Sequence, residues 1–498
     1  MSLLIRNAQV LTFDGGRIWP EADIHVADGR ILAIGPGLCP ETPPARVIEA
    51  RGMLAMPGLI NAHFHSPGNF LRGALDGLPL EVFMLYEVPP LATGVPVKRL
   101  NYVRTMLGAV EMLRQGVTSV MDDAFHIPVA SAEGIDGIAE AYRDSGIRAR
   151  LAIDQPNVVE YEKFPFLAEL LPADIRAGMA AAPIQPAEEL LELYDHLIAR
   201  WDGAAEGRIG AALSCSAPQR VTLDYFRALS ALSAKHDLPF NCHILETKLQ
   251  RVLGEEKYGR SLVRLVHDLG VLDERMVVIH AIWIDADDIA LLAASGATVA
   301  HNPVCNLRLG SGVMPFRALR DAGVPICIGT DEAVADDAIN PWAALKMAGL
   351  VHTLSEVDYR SWPAAPEILH CMMTGGARAL RWPDIGRLVP GARADIALLD
   401  LDSLPFTPLN DLHRQLVFCE PASAVRMTIV DGRVVFEDGR VTTVDERALR
   451  QEARALTEGY RAEFAPAIAE ARRLEPYYRA MYLQAQARDV GLQRRLTR

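Results

Sequence analysis

Five short apolar runs in the middle of this 498-residue chain end in groups that can bind a metal ion. They are His63-Phe64-His65, His243, His280, His301 and, in Gly329-Thr330-Asp331, the carboxylate of Asp331. Residues two apart on an extended chain point the same way, so His63 and His65 can present two imidazoles to one ion. Each later His or Asp adds a donor from another strand. A lone histidine after a strand is more often an ordinary core or surface residue, and His25, His196, His236, His267, His352, His370 and His413 are read that way. The joint pattern is different, because only 13 of 498 residues are His and four of these run ends carry one. The arrangement points to a functional metal centre.

The elements that must position these groups are parallel βα units. Strand-like runs at Val117–Met121, Ala149–Ile153, Ile209–Leu213, Phe240–His243, Met276–His280, Thr298–His301 and Pro325–Gly329 alternate with helical stretches such as Val103–Arg114. With a first strand at Ala55–Ala62 this makes about eight, the spacing of an α/β barrel, which carries its active site at the C-terminal ends of its strands. The first 56 residues differ, alternating short β-type runs with turns such as Asp28-Gly29, and the same grammar returns at Ala394–Asp400 and Met427–Phe436. A small sheet assembled from both chain ends is expected. From Asp445 onward the chain becomes charged and helical, a tail expected to pack on the body or on a partner subunit.

Composition removes several function classes. With 50% hydrophobic and 23% charged residues the chain is ordinary globular material, and a net charge of −13 without a basic cluster disfavours nucleic acid. Seven scattered Cys without a Cys-x-x-Cys pair suggest neither a disulfide framework nor a thiolate metal site. The longest uncharged run, 289–307, contains Gly296, His301, Asn302, Pro303 and Asn306, which makes it poor material for a membrane helix. The N-terminus lacks the pattern of a signal peptide, so a soluble cytoplasmic protein is expected.

The segment Met56-Pro57-Gly58-Leu59-Ile60-Asn61-Ala62-His63-Phe64-His65 resembles the opening signature of the amidohydrolase superfamily. Phe70-Leu71-Arg72-Gly73, Asp76-Gly77-Leu78-Pro79-Leu80, His243-Ile244-Leu245-Glu246, the run 301–307, Gly310-Ser311-Gly312, Gly329-Thr330-Asp331, the run 375–380 and Gly391–Asp395 resemble its chlorohydrolase, guanine deaminase and adenosylhomocysteine deaminase branch. The resemblance runs from residue 1 to about 440. It implies a (β/α)8 TIM barrel over 57–384 and a small β-sandwich from 1–56 plus 385–440; the charged helical run beyond it is expected to form a C-terminal extension over 441–498.

The resemblance places metal ligands at His63, His65, His243 and Asp331, with His280 beside the activated water. Three neutral imidazoles and one carboxylate leave a position open for water and suit one divalent ion, Zn2+ first, with Fe2+ and Mn2+ as alternatives. Glu246, three residues beyond His243, is expected to shuttle protons, its plainer alternative being a helix-opening carboxylate. Asp331 would take the water's proton and His280 would orient the water. Binuclear superfamily members use a carboxylated lysine on the fourth strand. The segment Arg208–Pro218 contains no lysine, so a mononuclear centre and deamination of a nitrogen heterocycle (purine, pterin, pyrimidine or s-triazine) with release of ammonia fit better than cyclic amide opening.

For the substrate side, His301 and Asn302 are expected to line the pocket at the seventh strand and His126 at the second. Glu332 could accept from an amino group, and Arg72 could hold a loop or an acidic substrate group. Nucleoside-deaminating members usually carry a Glu where this chain has Ala92, and a Trp where it has Phe83, which weakens a nucleoside substrate. Gly68 to Pro90 is expected to form a lid with apolar walls. Two rivals stand beside deamination: displacement of chloride or alkylamine from a triazine-like ring, and an inactive scaffold, which would predict decay of a ligand or of Glu246. The expected partners are a small heterocyclic substrate and copies of the same chain in a homodimer or larger homo-oligomer, with neither nucleic acid nor membrane.

Overall fold

In the computed structural model, which describes residues 2–87, 96–127, 129–336 and 338–495, both chain ends build a single nine-stranded sheet. Ser2–Leu11, Ile18–Ala27 and Arg30–Gly35 run antiparallel, while Arg46–Glu49 and Met53–Pro57 lie parallel to Ser2–Leu11. Met53–Pro57 also pairs antiparallel with Ile396–Asp400, which leads on to Val425–Val430, Arg433–Glu437 and Arg440–Val441. One strand thereby joins the two ends. Both expected hairpins close through Asp-Gly pairs with positive φ at each residue, 50° and 76° at Asp28 and Gly29, 51° and 72° at Asp431 and Gly432. That is the primed turn whose twist matches the strands. Ile5, Val10, Ile24, Val26, Ile396 and Leu398 form the sheet's apolar core.

The middle of the chain holds two parallel sheets. The first contains Leu59–Phe64, Val117–Phe125, Arg148–Asp154 and Ile209–Ala211; the second contains Leu213–Ser214, Phe240–Ile244, Met276–His280, Thr298–His301 and Ile326–Ile328. The run expected as one strand at Ala55–Ala62 is two, Met53–Pro57 in the terminal sheet and Leu59–Phe64 in a parallel one. They divide at Gly58, where a Cβ would fall 2.0 Å from Cγ2 of Thr118, so only glycine fits the crossing. Ala212 N donates to Leu151 O at 2.9 Å and Leu213 N to Pro239 O at 2.8 Å, which links the sheets on one side. On the other side Asp331 N donates to His63 O at 3.0 Å. Asn61 there exchanges two bonds with Thr330, at 2.8 and 3.0 Å.

Alternate residues of these strands, among them Ile60, Ala152, Ala212, Ile279, Ala300 and Cys327, pack together between the sheets. Their neighbours, such as Phe64, Leu151, Val278 and Val299, face the covering helices. The period of two therefore fixes which strand residues can reach a site between the sheets. The first strand departs from it. Its pairing with Val117–Phe125 shifts register between Asn61 and Phe64, so that after Ile60 and Ala62 the chain turns His63 and His65 toward the same interior.

The middle and the terminal sheet meet at a buried ion cluster. Arg148 donates to Asp395 at 2.8 Å and to Asp431 at 2.8 Å, and Arg393 reaches Asp431 at 3.1 Å. The charged tail forms one helix, Glu446–Ala487, capped by Asp445, whose carboxylate accepts from the N–H groups of Arg447 and Ala448. It packs on its own chain, with Leu449 and Ala453 in the main core. No described helix is long and apolar enough to cross a membrane.

Candidate metal centre

The strand ends converge as their sequence positions suggested. His63 lies near the end of Leu59–Phe64 and His65 just after it, His243 lies near the end of Phe240–Ile244, His280 ends Met276–His280 and Asp331 follows Ile326–Ile328; His63, His65, His280 and Asp331 are buried and His243 nearly so. Ring centroids of His63 lie 4.7 Å from His65, 5.0 Å from His243 and 6.0 Å from His280. Oδ1 of Asp331 is 3.6 Å from Nε2 of His63 and 3.5 Å from Nε2 of His65, and its Oδ2 is 3.7 Å from Nε2 of His280. Ring nitrogens and carboxylate oxygens in the sets His63, His65, Asp331 and His63, His243, His280 all fall within 4.8 Å of one another.

The backbone carries strain at two of these positions. His280 has φ 74° and Asp331 has φ 64°, left-handed values that bulky L residues rarely adopt. At His280 this has a direct consequence. The residue has the parity of Val278, which faces the helices, and the positive φ swings its ring into the interior instead.

Hydrogen bonds decide which ring nitrogen of each histidine is left for an ion. His65 Nδ1 donates to the carbonyl of Asp123 and His243 Nδ1 to that of Ser216 at 2.7 Å, leaving each Nε2 with its lone pair aimed at the site. Neither nitrogen of His63 has a hydrogen-bond partner among the described residues, although its side chain is buried. A buried imidazole without partners costs free energy unless something else binds it. Burial, with His63 adding to it, lowers the pKa of His65 to about 3, and burial together with the neighbouring imidazoles puts His243 well below its ordinary value. For Asp331 burial acts the other way, yet His63, His280 and His65 hold it well below the usual carboxylate range. Neutral imidazoles around an ionised carboxylate are the donor set of a divalent cation site, and the residues present fit one.

Glu246 sits just beyond His243, with Oε2 3.5 Å from Nε2 of His280. Its backbone N–H donates to Gln250 at 2.9 Å and Ser311 Oγ donates to its Oε1 at 3.2 Å. Burial raises its pKa, with His280 opposing. His280 Nδ1 bonds Oδ1 of Asn306 at 2.8 Å, which holds the ring.

A cavity of about 480 Å³ opens from this cluster and is lined by His65, His243, Glu246, His280, Asp331, Glu332 and His126 among others. Glu332 and Glu87 both face it and hydrogen-bond each other. Burial raises Glu87 to about 7, and burial with Glu87 beside it puts Glu332 well above its ordinary value. His126 is buried, with its pKa lowered to about 3 by burial and Arg104. Met84 and Leu85 supply apolar wall from the helix Leu80–Glu87, as expected of the segment after Gly68. Phe83 is buried in a small apolar cluster beside Leu71 and Cys305, while Ala92 and 88–90 lie outside the described residues.

Three expected pocket residues do not line the cavity. His301 has the parity of Val299 and faces the helices, where its Nε2 meets Nε2 of His352 at 3.1 Å and its ring packs near Phe316. Arg72 is partly exposed and pairs with Glu111 at 2.5 Å, so it holds a loop. Asn302 is buried beside His280, its Nδ2 3.5 Å from Nδ1 of that ring, and does not line the pocket.

Counting histidines alone missed several carboxylates. Asp122 and Asp123 belong to the second parallel strand and Asp154 ends the third, so the strand-end rule would have found them. Asp122 accepts from the N–H of Ser66 at 2.9 Å and from Tyr142 at 2.7 Å, which fixes the turn after His65. Asp123 lies 3.9 Å from Nδ1 of His243, with burial and the nearby Asp154 raising its pKa well above normal. Arg220, also on the cavity wall, bonds Ser216 Oγ at 3.0 Å.

Parallel strands that deliver imidazoles and a carboxylate from their C-terminal ends to one buried point define a metal-dependent enzyme of the α/β class. Residues 54–435 match the amidohydrolase family, and the chain belongs to it. Among its relatives, a 5-methylthioadenosine/S-adenosylhomocysteine deaminase of Desulforudis audaxviator is 32% identical over 441 residues, covering 87% of this chain and 93% of that one. A 5'-deoxyadenosine deaminase of Methanosarcina mazei is 29% identical, with 87% and 93% covered. An adenosine deaminase from Xanthomonas campestris with bound zinc superposes with TM-score 0.80 at 25% identity over 92% of this chain and 98% of that one. The zinc complex of atrazine chlorohydrolase from Arthrobacter aurescens gives 0.81 at 26% over 91% and 99%.

Proposed function

We propose that the protein is a metal-dependent aminohydrolase that removes the amino group of a nitrogen heterocycle as ammonia, with His63, His65, His243 and Asp331 holding one zinc ion. The observation that carries this reading is the pair of carboxylates flanking His280. Glu246 lies 3.5 Å and Asp331 3.7 Å from its Nε2, with their pKa values displaced in opposite directions. Titratable neighbours driven apart in this way divide acid from base duties.

A divalent ion in this cradle supplies a Lewis acid that brings the pKa of water toward neutrality. The chain supplies the rest. Asp331, kept ionised by the imidazoles, accepts the proton of the attacking water. His280, its Nδ1–H committed to Asn306, presents Nε2 to that water and orients it. Glu246, which holds a proton more readily than a free carboxylate, delivers it to the ring nitrogen next to the attacked carbon. Asp331 passes the proton taken from water to the amino group, which leaves as ammonia as its bond to carbon breaks, and the proton of the new hydroxyl returns to Glu246 as the carbonyl forms. Glu332 and Glu87 accept hydrogen bonds from the ring's amino and imino edge.

The support for a nucleoside-type or related aminopurine comes from the deaminase relatives, which are named for adenosine derivatives. The similarity to atrazine chlorohydrolase supports a second reading, displacement of chloride from a triazine-like ring by the same water. Ammonia and chloride assays on one panel of aminated and chlorinated purines, pterins, pyrimidines and triazines separate the two.

For the architecture behind this site we propose a closed (β/α)8 barrel over 57–384, a β-sandwich from 1–56 plus 385–440 and a helical extension over 441–498. The bonds Leu213 N to Pro239 O and Asp331 N to His63 O, at the two seams between the parallel sheets, support closure. The pairing of Met53–Pro57 with both chain ends supports the composite domain. Seven free cysteines suit a reducing cytoplasm.

A further inference from the structure

The C-terminal helix Glu446–Ala487 lies beyond the stretch that matches the family, which ends at residue 435. At 1.5 Å per residue it spans about 63 Å, far enough to run from Leu449 and Ala453 in the main core to the cavity mouth. Its outer half carries Ala471, Leu474, Tyr478, Met481 and Ala485, all buried at spacings of three and four, which is one helical face. That face packs on Val82 and Tyr86 of the segment over the cavity, on Phe164 and Leu167 of the loop after the third parallel strand, and on Leu249 and Val252. Tyr86 donates to Glu475, which ties lid to tail.

Two of these residues, Leu474 and Tyr478, line the cavity itself, as do Met84, Leu85, Val159 and Ile184. The charged groups beside Tyr478 pair with it and with each other. Lys163 pairs with Glu160 at 2.6 Å, and Glu160 accepts from the Tyr478 hydroxyl. Leu474 joins Met84, Leu85, Val159 and Ile184 in the cavity's apolar lining.

The chain after the helix is fastened as well. Arg494 donates to the carbonyls of Ile282 and Ile284 at 3.0 and 2.7 Å, and its own carbonyl accepts from Val313 at 2.8 Å. Gly312, with φ 130°, allows this approach, since a Cβ there would fall 2.7 Å from that carbonyl. The neighbouring Ser311 bonds Glu246. The tail is thus anchored on the loops that hold the proton shuttle.

We infer that the C-terminal helix is a specificity-determining wall of the substrate pocket, and that Leu474 and Tyr478 form an apolar compartment for an alkyl, aryl or thioether substituent on the ring held at the metal end. The inference rests on the aminohydrolase reading for the ring but not for the compartment, so binding tests it separately from turnover. Calorimetry on the metal-loaded full chain would compare adenine and melamine, each with and without a hexyl chain. The hexyl forms should bind wild type at least about tenfold more tightly. Leu474→Trp, which fills the compartment, should cut that ratio at least about tenfold, and Leu474→Ala should shift preference toward a bulkier octyl chain. Metal content and unfolding midpoint, measured on each variant, report folding. Hexyl and bare rings binding alike to wild type, or a ratio that neither substitution moves, would overturn the inference. Ammonia is assayed in parallel. Selective binding without ammonia overturns the aminohydrolase reading alone, and ammonia release with equal binding overturns the compartment alone.

Discussion

Oε2 of Glu246 faces Nε2 of His280 at 3.5 Å, inside a buried pocket where Ser311 and Gln250 hold the carboxylate and its backbone. In the proposed mechanism the pair brings a proton donor and a water-orienting imidazole to the same metal cradle. Glu246→Gln keeps the shape and removes the titrating group, so turnover should fall by about 100-fold or more with metal content unchanged. Near-normal turnover of this variant, followed by ammonia release, would remove Glu246 from the mechanism.

Asn306 acts through His280. Its Oδ1 accepts from Nδ1 at 2.8 Å and so leaves Nε2 free to accept from water. Asn306→Ala should lower kcat by about 10- to 100-fold and move the acid limb of the pH–rate profile, while Asn306→Asp should recover part of the rate. A uniform loss of rate with an unmoved profile would point to a structural role only.

Glu81 offers a prediction for stability against pH. Its pKa rises from 4.5 to about 7, mainly through burial, although Thr247 donates to it. Between those values the folded chain binds the proton and the unfolded chain has lost it, so this group favours folding at low pH and the contribution disappears as pH rises toward 7 and beyond. The amount is about 3 kcal/mol at most. Glu81→Gln should therefore raise the unfolding midpoint at pH 8 more than at pH 5. Equal destabilisation at both values would contradict the assignment.

The joint between the terminal sheet and the middle of the chain depends on Arg148, which is buried and bonded to Asp395 and Asp431. Arg148→Met leaves two buried carboxylates without the guanidinium they share, and should cost about 3–5 kcal/mol in denaturant unfolding. A loss below about 1 kcal/mol would mean that Arg393 or water compensates.

Metal binding should be visible without any substrate. Chelation should lower the unfolding midpoint and zinc should restore it, because an ion bound only by the folded state stabilises by mass action. In His63→Ala the midpoint should no longer respond to zinc.

The centre was largely legible because its donors sit at strand ends, where residue type and a spacing of two already predict direction. His301 shows the limit of that rule. It ends a strand like the others, but its parity points it at Phe316 and His352, and no turn of the backbone corrects it as the positive φ of His280 does. Glu87 could not be found the same way, since it arrives on the helix Leu80–Glu87, whose docking over the cavity is tertiary packing. The stripe Ala471, Leu474, Tyr478, Met481 and Ala485 is readable as a helix face. Which surface it covers is set by contacts from three distant segments, and sequence periodicity carries no record of them.

The central claim is that this pocket hydrolyses a ring amine with the help of a divalent ion. The most direct measurement is the ammonia released per molecule of ring consumed by the zinc-loaded protein, across the panel of aminated purines, pterins, pyrimidines and triazines. One ammonia per ring converted, lost on chelation and recovered with zinc, is the predicted result. Ring conversion with chloride or alkylamine released in place of ammonia, or no ammonia from any ring amine with the metal in place, would contradict it.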